Sequence, residues 1–204
     1  MVDRNYSEIY RVVKKVTHML EPIGEGEKTA WQKKMLADLR NSIGKEAINL
    51  NVLGLLFENI DPVYQSNYGK LNNLETAILI TLQIFGLFNQ GKTYIRTVDQ
   101  ENKRYGYKNL GYSLSQIKDE DNQDALGNRF NILITSRNNE KFCYHLLQMV
   151  KLMKNYKKPV EVNYNCLSAD IYTFLKGQHN QVRVAWSRQY FRGHMTKEEG
   201  EKNE

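Results

Sequence analysis

The stretch from residue 73 to 88 constrains the fold more than any other part of the chain. Wound as a helix, it places Leu74, Ala77, Ile78, Thr81, Leu82, Phe85 and Phe88 on one wide face. Ile80, Ile84 and Leu87 extend that face until little of the circumference is polar. A helix apolar nearly all round is stable only when other elements surround it, so it is expected at the centre of a bundle. Glu75 and Gln83 interrupt the run, and its length falls short of what a bilayer crossing needs.

The rest of the chain supplies helices to surround it. Residues 5–20 set Ile9, Val12 or Val13, Val16 and Leu20 at helical spacing, closed by Glu21-Pro22. Thr29 reads as the N-cap of a second helix carrying Trp31, Met35, Leu36, Leu39 and Ile43, with Gly44 at its end. Trp31 is expected in the core with Leu82, Phe85 and Trp186. A short third helix follows with Leu53, Leu56, Phe57 and Ile60, then a loop over 61–72. Residues 89–109 turn polar, glycine-bearing and charged, and read as a connection.

Beyond it come a short helix at 109–117 and longer ones at 124–136, 140–155, 164–175 and 179–192. The last sets Val182, Trp186 and Tyr190 at i, i+4 and i+8, and Gly177 ends the helix before it. No convincing strand alternation occurs, and three prolines in 204 residues suit long helices. The expected fold is therefore all-α: two small helical bundles joined by an irregular connection. The expected divisions are 1–98, a basic bundle at 99–195, and a frayed polar tail at 196–204.

Charge is distributed unevenly between these divisions. Residues 1–124 carry sixteen basic and sixteen acidic residues, whereas 125–192 carry eleven basic and three acidic. A surplus confined to one stretch points to a polyanionic partner. Arginine also recurs beside apolar helical faces. Arg129 neighbours Phe130, Arg137 ends that helix, Lys141 opens the next, and Arg188 and Arg192 are one turn apart. Cations on rigid helices grip phosphates without reading bases. The same groups also suit acidic helices of a partner protein, so a helical adaptor without nucleic-acid contact is the alternative reading.

Motifs for catalysis are missing. His18, His145, His179 and His194 have no paired spacing, and Gly91-Lys92-Thr93 lacks the upstream glycine of a phosphate-binding loop. The acids at 119–121 and Asp124 point in different directions and read as a solvated loop. Cys143 and Cys166 have no metal-ligand spacing and suggest a reducing compartment. The reading is a cytoplasmic protein that is not an enzyme, with no cofactor, no metal and no membrane partner.

Leu36–Arg40, the 73–88 helix, Asn109–Leu114, Arg129–Leu133, Leu146–Met153 and Val184–Phe191 follow one another in an order that resembles the CasB family, the small subunits of the type I-E CRISPR Cascade complex. Leu36-Ala37-Asp38-Leu39-Arg40 resembles the family's "ALxxLRR" helix, and 73–88 with its exit through Tyr94-Ile95-Arg96 resembles its central apolar helix. Asn109-Leu110-Gly111-Tyr112-Ser113-Leu114 is similar to "SLGxAL", and Arg129-Phe130-Asn131-Ile132-Leu133 to "RRFxxLL". Leu146 to Met153 resembles "HLxxLVxLL", and Val184 to Phe191 the closing "WAxDFY"-type helix. The chain departs from the family at Asn41, where a second arginine is common, and at Tyr112, where a basic residue is common.

The resemblance implies a non-catalytic structural subunit of an RNA-guided surveillance complex. It implies the other Cascade subunits (backbone and large subunits), guide RNA, target DNA and a second copy of itself as partners. It also implies a role in steadying the opened target DNA and its displaced strand. Charge and resemblance together nominate Arg40, Arg96, Arg129, Arg137, Lys141, Arg183 and Arg188 for the nucleic-acid-facing surface, with Arg129 and Arg137 foremost.

Overall fold

In the computed structural model, helix 73–88 is the buried centre of its surroundings. The structure describes residues 4–22, 26–90, 108–119, 121–156 and 160–201, with side chains as far as Arg192. The described elements are α1 (Arg4–Leu20), α2 (Ala30–Asn41), α3 (Leu50–Phe57), a 3-10 turn (Pro62–Tyr64) and α4 (Asn73–Phe88) in the first half. The second half holds α5 (Leu110–Ser115), α6 (Gln123–Thr135), α7 (Asn139–Asn155), α8 (Tyr164–Leu175) and α9 (His179–Glu201). The fold is all-α, and the chain forms two compact units, Met1–Ile95 and Arg96–Glu204.

In the first unit α1, α2 and α3 all pack on α4. Ala77, Ile78, Ile84 and Phe85 of α4 are completely buried, as are Ile9, Val12, Val13, Val16 and Leu20 of α1. Each fully buried side chain of the larger kind contributes about 1.5–3 kcal/mol of transfer free energy. The polar groups caught inside α4 are satisfied: Thr81 Oγ1 donates to the Ala77 carbonyl at 2.8 Å and Gln83 Nε2 to Ser42 Oγ at 2.9 Å. Asn72 starts α4 with a capping box, its side chain accepting from Glu75 N while Glu75 accepts from Asn72 N at 2.7 Å. The other Glu75 oxygen accepts from Ser66 N at 2.9 Å, so one buried carboxylate pins the preceding loop to the helix.

A second carboxylate plays the same part on α1. Glu8 accepts from Arg11 Nε at 2.8 Å and from the Asp61 backbone at 2.9 Å, while Arg11 donates to the Asn59 carbonyl at 2.7 Å. The Arg11 hydrogen bond holds the Glu8 carboxyl below its usual value.

Trp31 departs from the sequence expectation: it is 46% exposed. The capping box formed by Thr29 and Gln32 fixes the phase of α2, and the buried stripe becomes Gln32, Met35, Leu36 and Leu39. Trp31 lies 100° away from Gln32 around the axis and faces out. The third helix begins at Leu50, where the Asn49 side chain accepts from Val52 N, and ends at Phe57, so Ile60 lies beyond it. The last helix also runs on, its backbone helical to Glu201 rather than ending near 192 with a frayed tail. No proline follows to stop it.

In the second unit Trp186 is fully buried, with Val182 and Tyr190 of the same stripe 3% exposed. Phe142 stacks on Phe174 with centroids 3.6 Å apart and lies 5.9 Å from the Trp186 ring. α8 ends in a Schellman motif: Gln178 N donates to the Thr173 carbonyl, Gly177 N donates to the Phe174 carbonyl, and Gly177 has φ +83°. Short α5 lies against α9 at Gly111, where any added Cβ would collide with the Trp186 carbonyl. Asn109 Nδ2 ties the same corner by donating to the Ala185 carbonyl at 3.0 Å.

Candidate nucleic-acid interface

The exposed cations of the second unit follow from where its apolar stripes point. Leu126, Phe130 and Leu133 of α6 face the core, so Arg129 stands outside. Ser136 terminates α6, and Asn138 starts α7 by accepting from Lys141 N at 3.1 Å. Arg137 lies in this short corner and Lys141 in the first turn beyond it; both are exposed. On α9 the Val182–Trp186–Tyr190 stripe faces inward, leaving Arg188 and Arg192 exposed one turn apart. Among the described residues no carboxylate pairs with Arg129, Arg137, Lys141 or Arg188.

The few acids of this stretch are largely occupied elsewhere. Glu161 holds Lys108 Nζ at 2.8 Å. Asp170 Oδ2 accepts from Trp186 Nε1 at 2.6 Å, and burial pushes its carboxyl up to about 7. Among the described residues of 125–192, Arg129, Arg137, Lys141, Lys151, Lys176, Arg188 and Arg192 are exposed, as is the acid Glu140.

Two of the nominated arginines are also engaged inside the fold. Arg183 is half-buried and its Nε donates to the Ile134 carbonyl at 3.2 Å, joining α9 to α6 near the end of the latter. Arg40 donates through Nη1 to the Gly86 carbonyl at 3.3 Å, and burial lowers its guanidinium below the ordinary value. Arg96 lies outside the described residues. The structure thus groups Arg137 and Lys141 at one corner, sets Arg129 and Arg188 on the outer faces of α6 and α9, and ties Arg40 and Arg183 to carbonyls.

Sequence reasoning passes over Tyr144 and Lys151. They line a groove of about 390 Å³ between α6 and α7, together with Arg129. Their signal is present in the sequence: Lys141, Tyr144, Gln148 and Lys151 recur at three- and four-residue steps, one face of α7 beside its buried stripe.

The remaining reactive groups fit packing or solvation. Asp119 and Asn122 bond each other's backbone in an exposed turn ahead of α6. Among the described residues no group of His, Cys, Asp and Glu is arranged to hold a metal ion. His179 stacks on Phe174 with centroids 4.2 Å apart. Burial pushes the free Cys143 and Cys166 thiols up to about 11 and about 12, away from the nucleophilic thiolate. No helix among the described residues is long and apolar enough to cross a membrane.

A family model described as CRISPR-associated protein Cse2 matches residues 35–191, which include every nominated cation. The crystal structure of CasB from Thermobifida fusca superposes with a TM-score of 0.66 at 17% identity, covering 93% of this chain and 99% of that one. The crystal structure of M. ruber CasB gives a TM-score of 0.63 at 18% identity, covering 92% and 96%. At these identities the likeness is one of fold. No curated protein matches the chain.

Proposed function

The chain belongs to the CRISPR-associated Cse2 family, and from that premise we propose that it is a non-catalytic structural subunit of a type I-E Cascade surveillance complex. In this reading its second unit binds nucleic-acid backbone without reading sequence, and so steadies the guide RNA–target DNA R-loop and the displaced strand. The observation that carries the reading is the set of exposed cations, Arg129, Lys141 and Arg188 on helices and Arg137 in the α6–α7 corner, in a stretch whose acids are mostly engaged internally.

The physics of an R-loop suits such a part. Exchanging a DNA duplex for an RNA–DNA heteroduplex is nearly balanced in free energy, so a few phosphate contacts tip it. Arg129, Arg137, Lys141 and Arg188 are the primary contacts. Arg40, Arg96 and Arg183 are proposed as further phosphate contacts, Arg40 and Arg183 through the donors left over after their carbonyl bonds. The protein works in the cytoplasm, needs no cofactor, and meets the backbone and large Cascade subunits, guide RNA, target DNA and a second copy of itself.

The neutral first unit is suited to assembly. It exposes Trp31, Leu50, Val63 and Tyr68, the last three at 77–83%, and large exposed apolar side chains suit protein contacts. This favours a division in which the first unit mainly docks and the second supplies most of the nucleic-acid contacts. It also keeps open the purely protein-binding adaptor as the rival reading.

Reversing Arg129 and Arg137 together to glutamate in the assembled complex tests the reading. Weaker target-DNA retention with assembly intact is the expected result. Failure of assembly instead assigns these residues to contacts between subunits.

A further inference from the structure

The α6–α7 groove combines features that a phosphate-only surface does not require. Arg129 and Ile132 line it from α6, and Tyr144, His145, Lys151 and Leu152 from α7. Tyr144 is 60% exposed and Ile132 48% exposed. The His145 ring meets the Tyr144 ring at 76° with centroids 5.2 Å apart, bracing it while leaving most of it open. Two permanent cations stand at the groove, and its described lining contains no carboxylate. Its volume, about 390 Å³, lies at the small end of the about 300–1,000 Å³ typical of small-ligand pockets.

We propose that this groove receives an unstacked nucleobase of a single-stranded nucleic acid, stacked on Tyr144, with Arg129 and Lys151 on the flanking phosphates. The inference rests on the nucleic-acid reading above and deepens it by specifying the form that is bound. In a duplex the faces of a base are covered by its neighbours, so only a single strand offers a face to Tyr144. Ile132 and Leu152 supply apolar walls for a planar group. The amides of Gln148 and Asn155 also line the groove and suit the polar edge of any base. Lys141 continues the strip: it lies ten residues before Lys151, about 15 Å along the α7 axis, within reach of a further phosphate.

Stacking is sequence-tolerant because every base has a π-face, so the groove adds affinity for single strands without adding sequence preference. An acidic peptide would satisfy Arg129 and Lys151 equally well but would make no use of the exposed ring, and the groove's aromatic content favours the base.

The test is titration of the full chain with a labelled single-stranded oligonucleotide and with an abasic strand of equal length and charge. The intact strand is expected to bind about tenfold tighter. Tyr144→Ala should remove the difference and Tyr144→Phe should keep it, with unchanged circular dichroism because the side chain is mostly exposed. Equal affinity for the two strands, or an unaffected Tyr144→Ala variant, overturns base insertion and leaves backbone binding standing. Failure of every nucleic acid to bind at low salt overturns both. A polyglutamate peptide that binds as tightly as the strand and weakens in the same variant reassigns the groove to an acidic protein.

Discussion

Trp186 donates its indole N–H to Asp170 Oδ2 at 2.6 Å, joining α9 to α8 at the largest fully buried side chain among the described residues. The bond satisfies the buried indole donor, but it leaves a carboxylate in a poorly solvated place. Burial lifts that carboxyl from 3.8 to about 7, against the smaller opposing effect of the Trp186 bond.

A pH dependence follows. Folded Asp170 holds its proton more tightly than unfolded Asp170, so its contribution is fully present below the unfolded value and is lost as pH rises through the folded one. Denaturant unfolding of the second unit should show stability falling for this group from the unfolded value of 3.8 up to about 7. Asp170→Asn keeps an acceptor for Trp186 and should flatten the profile in that window. An unchanged profile in the variant would remove Asp170 as its source. Glu8, whose carboxyl is held low, acts in the opposite sense and only in more acidic solution.

Among the described glycines, Gly111 is the one where an added Cβ would come nearest to another atom, the Trp186 carbonyl oxygen. Gly111→Ala forces α5 off the Trp186 carbonyl and should cost about 1–3 kcal/mol or more, read as a lowered melting temperature. Gly54→Ala is the matched control: its Cβ would meet only the flexible Glu58 side chain at 3.8 Å, and it should stabilise α3 by about 0.4–1 kcal/mol.

Glu75 is 1% exposed and serves two backbone donors, Ser66 N and Asn72 N. Glu75→Ala leaves both without an acceptor and should destabilise the first unit by about 2–3 kcal/mol. Loosening of the loop before α4, seen as faster amide exchange at Ser66, would accompany it.

Carbonyl bonding separates the nominated arginines by role. Arg40→Ala and Arg183→Ala should each lower stability by about 1 kcal/mol, since each removes an interhelical hydrogen bond. Arg129→Ala and Arg188→Ala should leave stability nearly unchanged and act on affinity. Melting curves for the four variants distinguish the two classes.

The sequence carries most of the architecture because it is written in local signals. The apolar circumference of α4, the Thr29 cap, the Val182–Trp186–Tyr190 stripe and the glycine after α8 each depend on a few neighbouring residues. Trp31 breaks the expectation because Gln32, the second half of the capping box, sets the phase of α2 and apolar spacing alone does not. What stays hidden depends on distant backbone. Nothing near Gly111 announces the Trp186 carbonyl, and nothing near Arg40 or Arg183 announces the carbonyls of Gly86 and Ile134. The exposure of Arg129, Arg137, Lys141 and Arg188 is legible from helical phase, whereas the groove that pairs Arg129 with Tyr144 exists only once α6 and α7 pack.

The central claim is that the exposed cations of the second unit hold phosphates. The most direct measurement is the affinity of the full chain for single-stranded DNA as a function of salt, for the natural sequence and for a variant with Arg129, Arg137, Lys141 and Arg188 changed to alanine. Affinity should fall steeply with salt, and the slope of log affinity against log salt should flatten by about 0.7 for each phosphate that the variant no longer neutralises. An identical slope in the variant, or no binding to DNA even at low salt, would contradict the account.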